Sequence, residues 1–233
     1  TYTISSGVTI DSSISVTAYD SNANGTDDQV EGYQSWFSSL AIPTTKTVKK
    51  DGSGQYTTIS AAIAAASSGD TILVYAGTYT ENIDYDGKNV VIGSLYMTTS
   101  DTSYIYSTLI DGGGSKTTVL FNTNETSAAE LNGFTIHNGK ATTSRSGNDG
   151  DSRIGDYSSG GGITILASSP TIKNCKIMNN SDRGSNTAAG IFIGKGPNMS
   201  ASLAPVIENC IIYHNSGTGI FPVSYTHLRA HET

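Results

Sequence analysis

Apolar and polar residues alternate in three near-copies toward the C-terminal end of the chain. Leu131-x-Gly133-Phe134-x-Ile136-x-Asn138 is followed by Ile172-x-Asn174-Cys175-x-Ile177-x-Asn179, and then by Ile207-x-Asn209-Cys210-x-Ile212. The last two are introduced by Ser169-Pro170 and Ala204-Pro205, and preceded by Gly162-Ile163-Thr164-Ile165 and Gly190-Ile191-Phe192-Ile193. A further glycine-led stretch opens at Gly219-Ile220. Alternation with period two specifies strands rather than helices. A recurring unit of a few tens of residues specifies a solenoid, in which each unit buries its apolar face only by stacking on its neighbours. Stacking would set Ile172 over Ile207, Ile177 over Ile212 and Cys175 over Cys210. Asn174 and Asn209 would fall at a bend between strands, where an amide can bond to backbone and to the asparagine of the next coil.

Upstream the pattern changes. Thr57-Thr58 precede Ile59-Ser-Ala-Ala-Ile63-Ala-Ala-Ala66, which reads as a short helix with a hydroxyl N-cap. Ahead of the first strand, it would cover the open end of the stack. Strands are predicted over Thr71–Tyr75, Lys88–Ile92, Thr108–Ile110 and Thr117–Phe121, with a turn at Asp111-Gly112-Gly113-Gly114. Gly139 to Ser159 reads as a long polar loop projecting from the wall. Residues 1–45 read as a separate small module: a weakly alternating stretch from Tyr2 to Tyr19, then a short amphipathic helix carrying Val30, Tyr33, Trp36, Phe37 and Leu40.

Composition narrows the function classes. The 233 residues include 26 glycines and only 14% charged residues, a balance suited to short strands and tight turns. The formal net charge of −7 and the absence of a basic stripe argue against a general nucleic-acid binder. A polyanionic partner would need a local basic patch or bridging cations. No run is long enough to span a membrane. Abundant Ser, Thr, Asn and Gly with few lysines fit a secreted or cell-surface protein. The two cysteines at matching repeat positions are either a buried thiol pair or a disulfide. The sequence sets no oligomeric state.

The segment Val48-Lys-Lys-Asp51-Gly52-Ser53-Gly54-Gln-Tyr56-Thr-Thr58-Ile59, followed by Gly69-Asp70-Thr-Ile72 and Ala76-Gly77-Thr-Tyr79-Thr-Glu81-Asn82, resembles the opening coil of the pectin-lyase-like superfamily. Pectin methylesterases share this opening, and the Asn-Cys-x-Ile coils resemble repeats of bacterial surface β-helix proteins. The resemblance implies an all-β, right-handed parallel β-helix over residues 46–222 with a short N-terminal capping helix. It also implies association with polysaccharide. The two later aspartate-bearing segments of the esterases have no counterpart here, so Glu81 reads as a turn residue. Val223–Thr233 resembles the translated read-through of a sequencing adaptor. Residues 223–233 are therefore read as a non-native tail, which implies a natural chain continuing past Pro222 and an uncapped, fraying lower edge.

Two constellations could hold calcium. Asp20, Asn22, Asn24, Gly25 and Glu31 match the spacing of a calcium loop, with Asp27 and Asp28 as further carboxylates; the alternative is an Asx/Gly turn that binds nothing. Asp149, Asp151 and Asp156 flank Arg153 in the long loop. Polysaccharide lyases of this fold gather aspartates around calcium and use an arginine or lysine to take the proton alpha to a uronate carboxylate. Asp182-Arg183 and Lys195 come from neighbouring loops. The alternative is a solvated acidic turn. His137 and His214 read as wall or turn residues rather than metal ligands. The function expected is therefore a polysaccharide-associating β-helix, with lyase-type cleavage of acidic glycans or a non-catalytic adhesive stalk as the two forms. An enzyme of this kind would be a calcium-dependent lyase rather than an esterase.

Overall fold

The computed structural model describes residues 43–142, 159–183, 187–194, 203–222 and 229–230. The chain divides into two units, Thr1–Ile42 and Pro43–Thr233, and the described residues all belong to the second. The strands of that unit form three parallel sheets. Sheet one stacks β1 (Thr45–Val48), β2 (Thr71–Val74), β5 (Val91–Ser94), β8 (Glu130–Asn132), β11 (Thr171–Lys173), β14 (Val206–Glu208) and β17 (Arg229–Ala230). Sheet two stacks β3 (Gly77–Thr80), β6 (Thr108–Asp111), β9 (Thr135–His137), β12 (Lys176–Met178) and β15 (Ile211–Tyr213). Sheet three stacks β4 (Ile83–Asp84), β7 (Val119–Phe121), β10 (Ile163–Leu166), β13 (Ile191–Gly194) and β16 (Ile220–Pro222). The chain visits the sheets in turn, so β2–β3–β4 is the first coil and β14–β15–β16 the fifth. Parallel crossovers of this kind wind right-handed, and the fold is a right-handed parallel β-helix.

Like residues stack on like. Sheet one aligns Ile72, Ile92, Leu131, Ile172 and Ile207 in one column. Sheet two aligns Tyr79, Ile110, Ile136, Ile177 and Ile212, and sheet three aligns Ile83, Val119, Ile163, Ile191 and Ile220. These columns converge on one core. Burying each aliphatic side chain contributes about 1.5–3 kcal/mol before entropy is set against it.

The bends are built by residues that tolerate left-handed backbone. Asn174 (φ 55°) and Asn209 (φ 51°) link sheet one to sheet two, and Gly133 (φ 83°) takes the same place one coil earlier. The amide of Asn174 donates to the Asn132 side-chain oxygen at 2.8 Å, and that of Asn209 donates to Asn174 at 3.4 Å. Entry to sheet three needs glycine for another reason: a Cβ on Gly190 would collide with the carbonyl of Gly219.

A helix, α1 (Ile59–Ala65), lies at the N-terminal end and buries Ile59, Ala62 and Ile63 in the same core. Thr58 caps it, accepting from Ala61 N. Glu81 accepts from the backbone N–H of Ile59 at 3.0 Å and of Ser60 at 2.9 Å, and from the Ser60 hydroxyl. Lys88 donates to the carbonyls of Ile63 and Ala64 at 2.7 and 2.9 Å. Both ends of α1 thus gain a side chain of the charge that their free backbone groups favour.

The structure departs from the sequence reading in places. The strand predicted from Lys88 begins only at Val91, because Asp86 and Gly87 form a left-handed turn and Lys88 is taken up by α1. Two short helices, α2 (Tyr96–Thr99) and α3 (Ser103–Ser107), interrupt the second coil. Neither carries a run of apolar residues long enough to announce it. Arg229–Ala230 runs parallel beside β14, within the stretch read as a tail beyond the repeats.

Candidate functional site

The second coil inserts α2 and α3 between β5 and β6, and this places α3 on the outer wall of sheet two. Two outward columns cross that wall: Leu109, Thr135, Lys176 and Ile211, and beside them Asp111, His137, Met178 and Tyr213. The Thr135 hydroxyl donates to the Ile105 carbonyl at 2.7 Å, which ties α3 across β9. Tyr106 of α3 is left 58% exposed, and Ile211 on β15 is 52% exposed. Between them the Lys176 ammonium lies 4.1 Å from the centre of the Tyr106 ring and 5.2 Å from that of Tyr213. Tyr213 packs at 4.9 Å against the His214 ring, and its hydroxyl donates to the Met178 sulfur at 2.8 Å. Among the described residues Lys176 has no carboxylate partner. The wall therefore presents two tyrosine rings, an exposed aliphatic side chain and an ammonium whose charge is met only by ring faces. Flat apolar rings suit the apolar faces of sugars, and the unpaired ammonium suits an anion.

At the other edge of this wall Asp111 stands beside His137 in register. Burial pushes the Asp111 carboxyl up. The Gly113 N–H, the Asn138 amide and the nearby His137 outweigh that and hold it below the usual carboxylate range. Its Oδ1 accepts from Gly113 N at 2.9 Å and from Asn138 at 2.7 Å, so this aspartate secures a turn. The His137 Nε2 is buried without a partner. His137 and His214 do not stack: His137 aligns with Met178 and Tyr213, whereas His214 follows β15 in a left-handed turn.

Asp20, Asn22, Asn24, Asp28 and Glu31 lie outside the described residues, as do Asp149, Asp151, Arg153, Asp156 and Lys195. Asp182 and Arg183 lie within the fourth coil, between β12 and β13. The Asp182 N–H donates to the Ser216 hydroxyl, and its carboxylate lies against Gly217. The Arg183 N–H donates to Thr187. Among the described residues no three His, Cys, Asp or Glu side chains gather as a metal site. Glu81 caps α1. Cys175 and Cys210 are free thiols on adjacent coils.

One carboxylate escaped the sequence reading. Glu125 is 1% exposed and accepts from Gly87 N, Thr123 N and the Ser168 hydroxyl at 2.9, 2.9 and 2.6 Å. It ties three successive coils at the bend between sheets three and one. Tyr106 escaped too: it sits on a helix turn that no period-two pattern reveals.

No family model matches the chain, and neither does any curated protein. Among solved structures, it is similar to a pectin methylesterase in complex with a hexasaccharide, with 16% identity and a TM-score of 0.41 over 72% of this chain and 54% of that one. A pectin methylesterase from Aspergillus niger gives 16% identity and a TM-score of 0.36, over 79% and 82% of the two chains. The chain spans about half the length of the first of these.

Proposed function

We propose that this β-helix associates with polysaccharide through the outer wall of sheet two. The observation that carries the reading is the Lys176 ammonium set between the rings of Tyr106 and Tyr213 on an exposed face. In this reading the rings pack on sugar faces and Lys176 meets a carboxylate or hydroxyl of the chain. The protein acts outside the cell or at its surface, where such polymers occur; among the described residues no helix is long and apolar enough to cross a membrane. The test is binding to a panel of neutral and acidic polysaccharides. Tyr106→Ala with Tyr213→Ala should weaken binding about tenfold, the loss expected for two stacking rings at 0.5–1.5 kcal/mol each. Wild-type protein that binds none of the panel sinks the reading.

A catalytic form of the same reading rests on Asp149, Asp151, Asp156 and Arg153. Calcium held by these aspartates would neutralise a uronate carboxylate and acidify the proton beside it. Arg153, in its neutral form, would accept that proton while the C–H electron pair forms the new double bond and the bond to the sugar oxygen breaks, the departing oxygen taking a proton from water. Absorbance of unsaturated uronate products, with and without calcium, separates this lyase from an adhesive stalk. Binding without product on every acidic glycan assigns the stalk. Calcium at Asp20, Asn22, Asn24, Asp28 and Glu31 would serve the fold of the N-terminal module, and is tested by calcium titration of residues 1–45 within the whole chain.

A further inference from the structure

We propose that Cys175 and Cys210 form a cross-linking site, a thiol pair that closes to a disulfide under oxidising conditions and staples the fourth coil to the fifth. The two residues hold the same place in successive coils, each following a left-handed asparagine, Asn174 and Asn209. The next residues, Lys176 and Ile211, are register partners, and Ile211 N donates to the Cys175 carbonyl at 2.9 Å. Stacked positions of this kind lie about 4.8 Å apart, within the Cα separation that a disulfide spans.

The thiols also share an orientation. The Cys175 sulfur points to the Lys173 carbonyl at 3.2 Å, and the Cys210 sulfur to the equivalent Glu208 carbonyl at 3.3 Å. Both are free, and both pack in the interior column that Phe134 occupies one coil earlier. Their access differs. Cys175 is buried, whereas Cys210 is half-buried in the fifth coil. Burial pushes the Cys175 thiol up. Thiolate character therefore falls to Cys210, the residue an oxidant can reach.

The chemistry balances with a small-molecule disulfide as oxidant. The Cys210 thiolate attacks one sulfur of oxidised glutathione, forming a mixed disulfide and releasing one glutathione thiolate. Cys175 then gives up its proton and attacks the Cys210 sulfur, breaking the mixed disulfide and releasing the second glutathione. Two protein thiols are oxidised, and one glutathione disulfide is reduced to two thiols.

The test is exposure of the folded whole chain to oxidised glutathione, read by intact mass and peptide mapping. The expected product is lighter by two hydrogens, with the peptides of Cys175 and Cys210 joined. Cys175→Ser should instead stop at a glutathione adduct on Cys210. The cross-linked protein should melt at a higher temperature than the reduced one, and a reductant should reverse the gain. A wild-type protein that keeps the adduct on Cys210 with Cys175 free overturns the proposal. So do two thiols that stay free in the folded chain yet react in denaturant, and so does a lower melting temperature after cross-linking.

Discussion

Single carboxylates decide much of the polar architecture. Asp70 is buried at the first coil, where its Oδ2 takes Lys46 Nζ at 2.7 Å and Ser67 N at 2.9 Å. Its Oδ1 takes the Thr44 N–H and hydroxyl at 2.6 and 3.0 Å. The Lys46 contact first, and then the Ser67 and Thr44 donors, hold the carboxyl far below its ordinary value of 3.8. A depressed folded-state pKa makes the contribution of Asp70 to stability fully present above the unfolded value and lost as pH falls toward the folded one. Asp70→Asn should therefore lower stability at neutral pH and flatten the loss of stability below about pH 4. Denaturant midpoints measured from neutral to acid pH check this. An acid limb as steep in the variant as in the parent would show that other carboxylates govern it. Glu125 is buried by partners distant in the sequence, Gly87 and Ser168. Its three donors come from three coils, so nothing local to Asn124-Glu125-Thr126 announces that it is buried.

At the scale of elements, legibility followed periodicity. Wherever a strand recurs with its bend, the register was readable: Ile172 over Ile207, Cys175 over Cys210, and the asparagines between them. The apolar column fixes which residues face inward, since a slip of one position would turn every isoleucine outward. The N-terminal helix was readable from its alanines and the Thr58 cap. The two helices of the second coil were not, because a segment of four or five residues carries no period of its own and is held by the wall beneath it. The tyrosine and lysine of the candidate site depend on that insertion, and this is why composition raised tyrosine–sugar contact without locating it. Glu81 was readable as structural but not as the cap of a helix some twenty residues earlier. Glu81→Ala should cost about 1–2 kcal/mol, the loss of a charged N-terminal cap. It should leave polysaccharide binding unchanged, because the helix it caps packs on β1, β2 and β4, whereas the candidate site is built on β12, β15 and α3. Denaturant midpoints and binding isotherms of the same variant check both halves. A lost sugar response with unchanged stability would move Glu81 from the cap to the site.

Across the whole molecule, stability is a sum over coils and their interfaces, and the two ends of the stack are not alike. The first coil is covered by α1, whose apolar side chains join the core. Among the described strands, β15 and β16 have a neighbour on one side only, and Cys210, Ile212 and Ile220 are only partly buried. Local opening takes the least protected unit first, and an edge coil loses one interface where a central coil must lose two. Hydrogen exchange should therefore be slowest in the middle coils, β8 through β12, and fastest in β15 and β16. If Cys175 and Cys210 can be joined, the staple falls across the weakest interface, and oxidation should slow exchange in β15 far more than in β8. A loop of this length would raise stability by roughly 3–4 kcal/mol in the chain-entropy account, if no strain opposes it. Uniform protection along the stack, before and after oxidation, would mean that the coils open together and that the solenoid behaves as one cooperative unit.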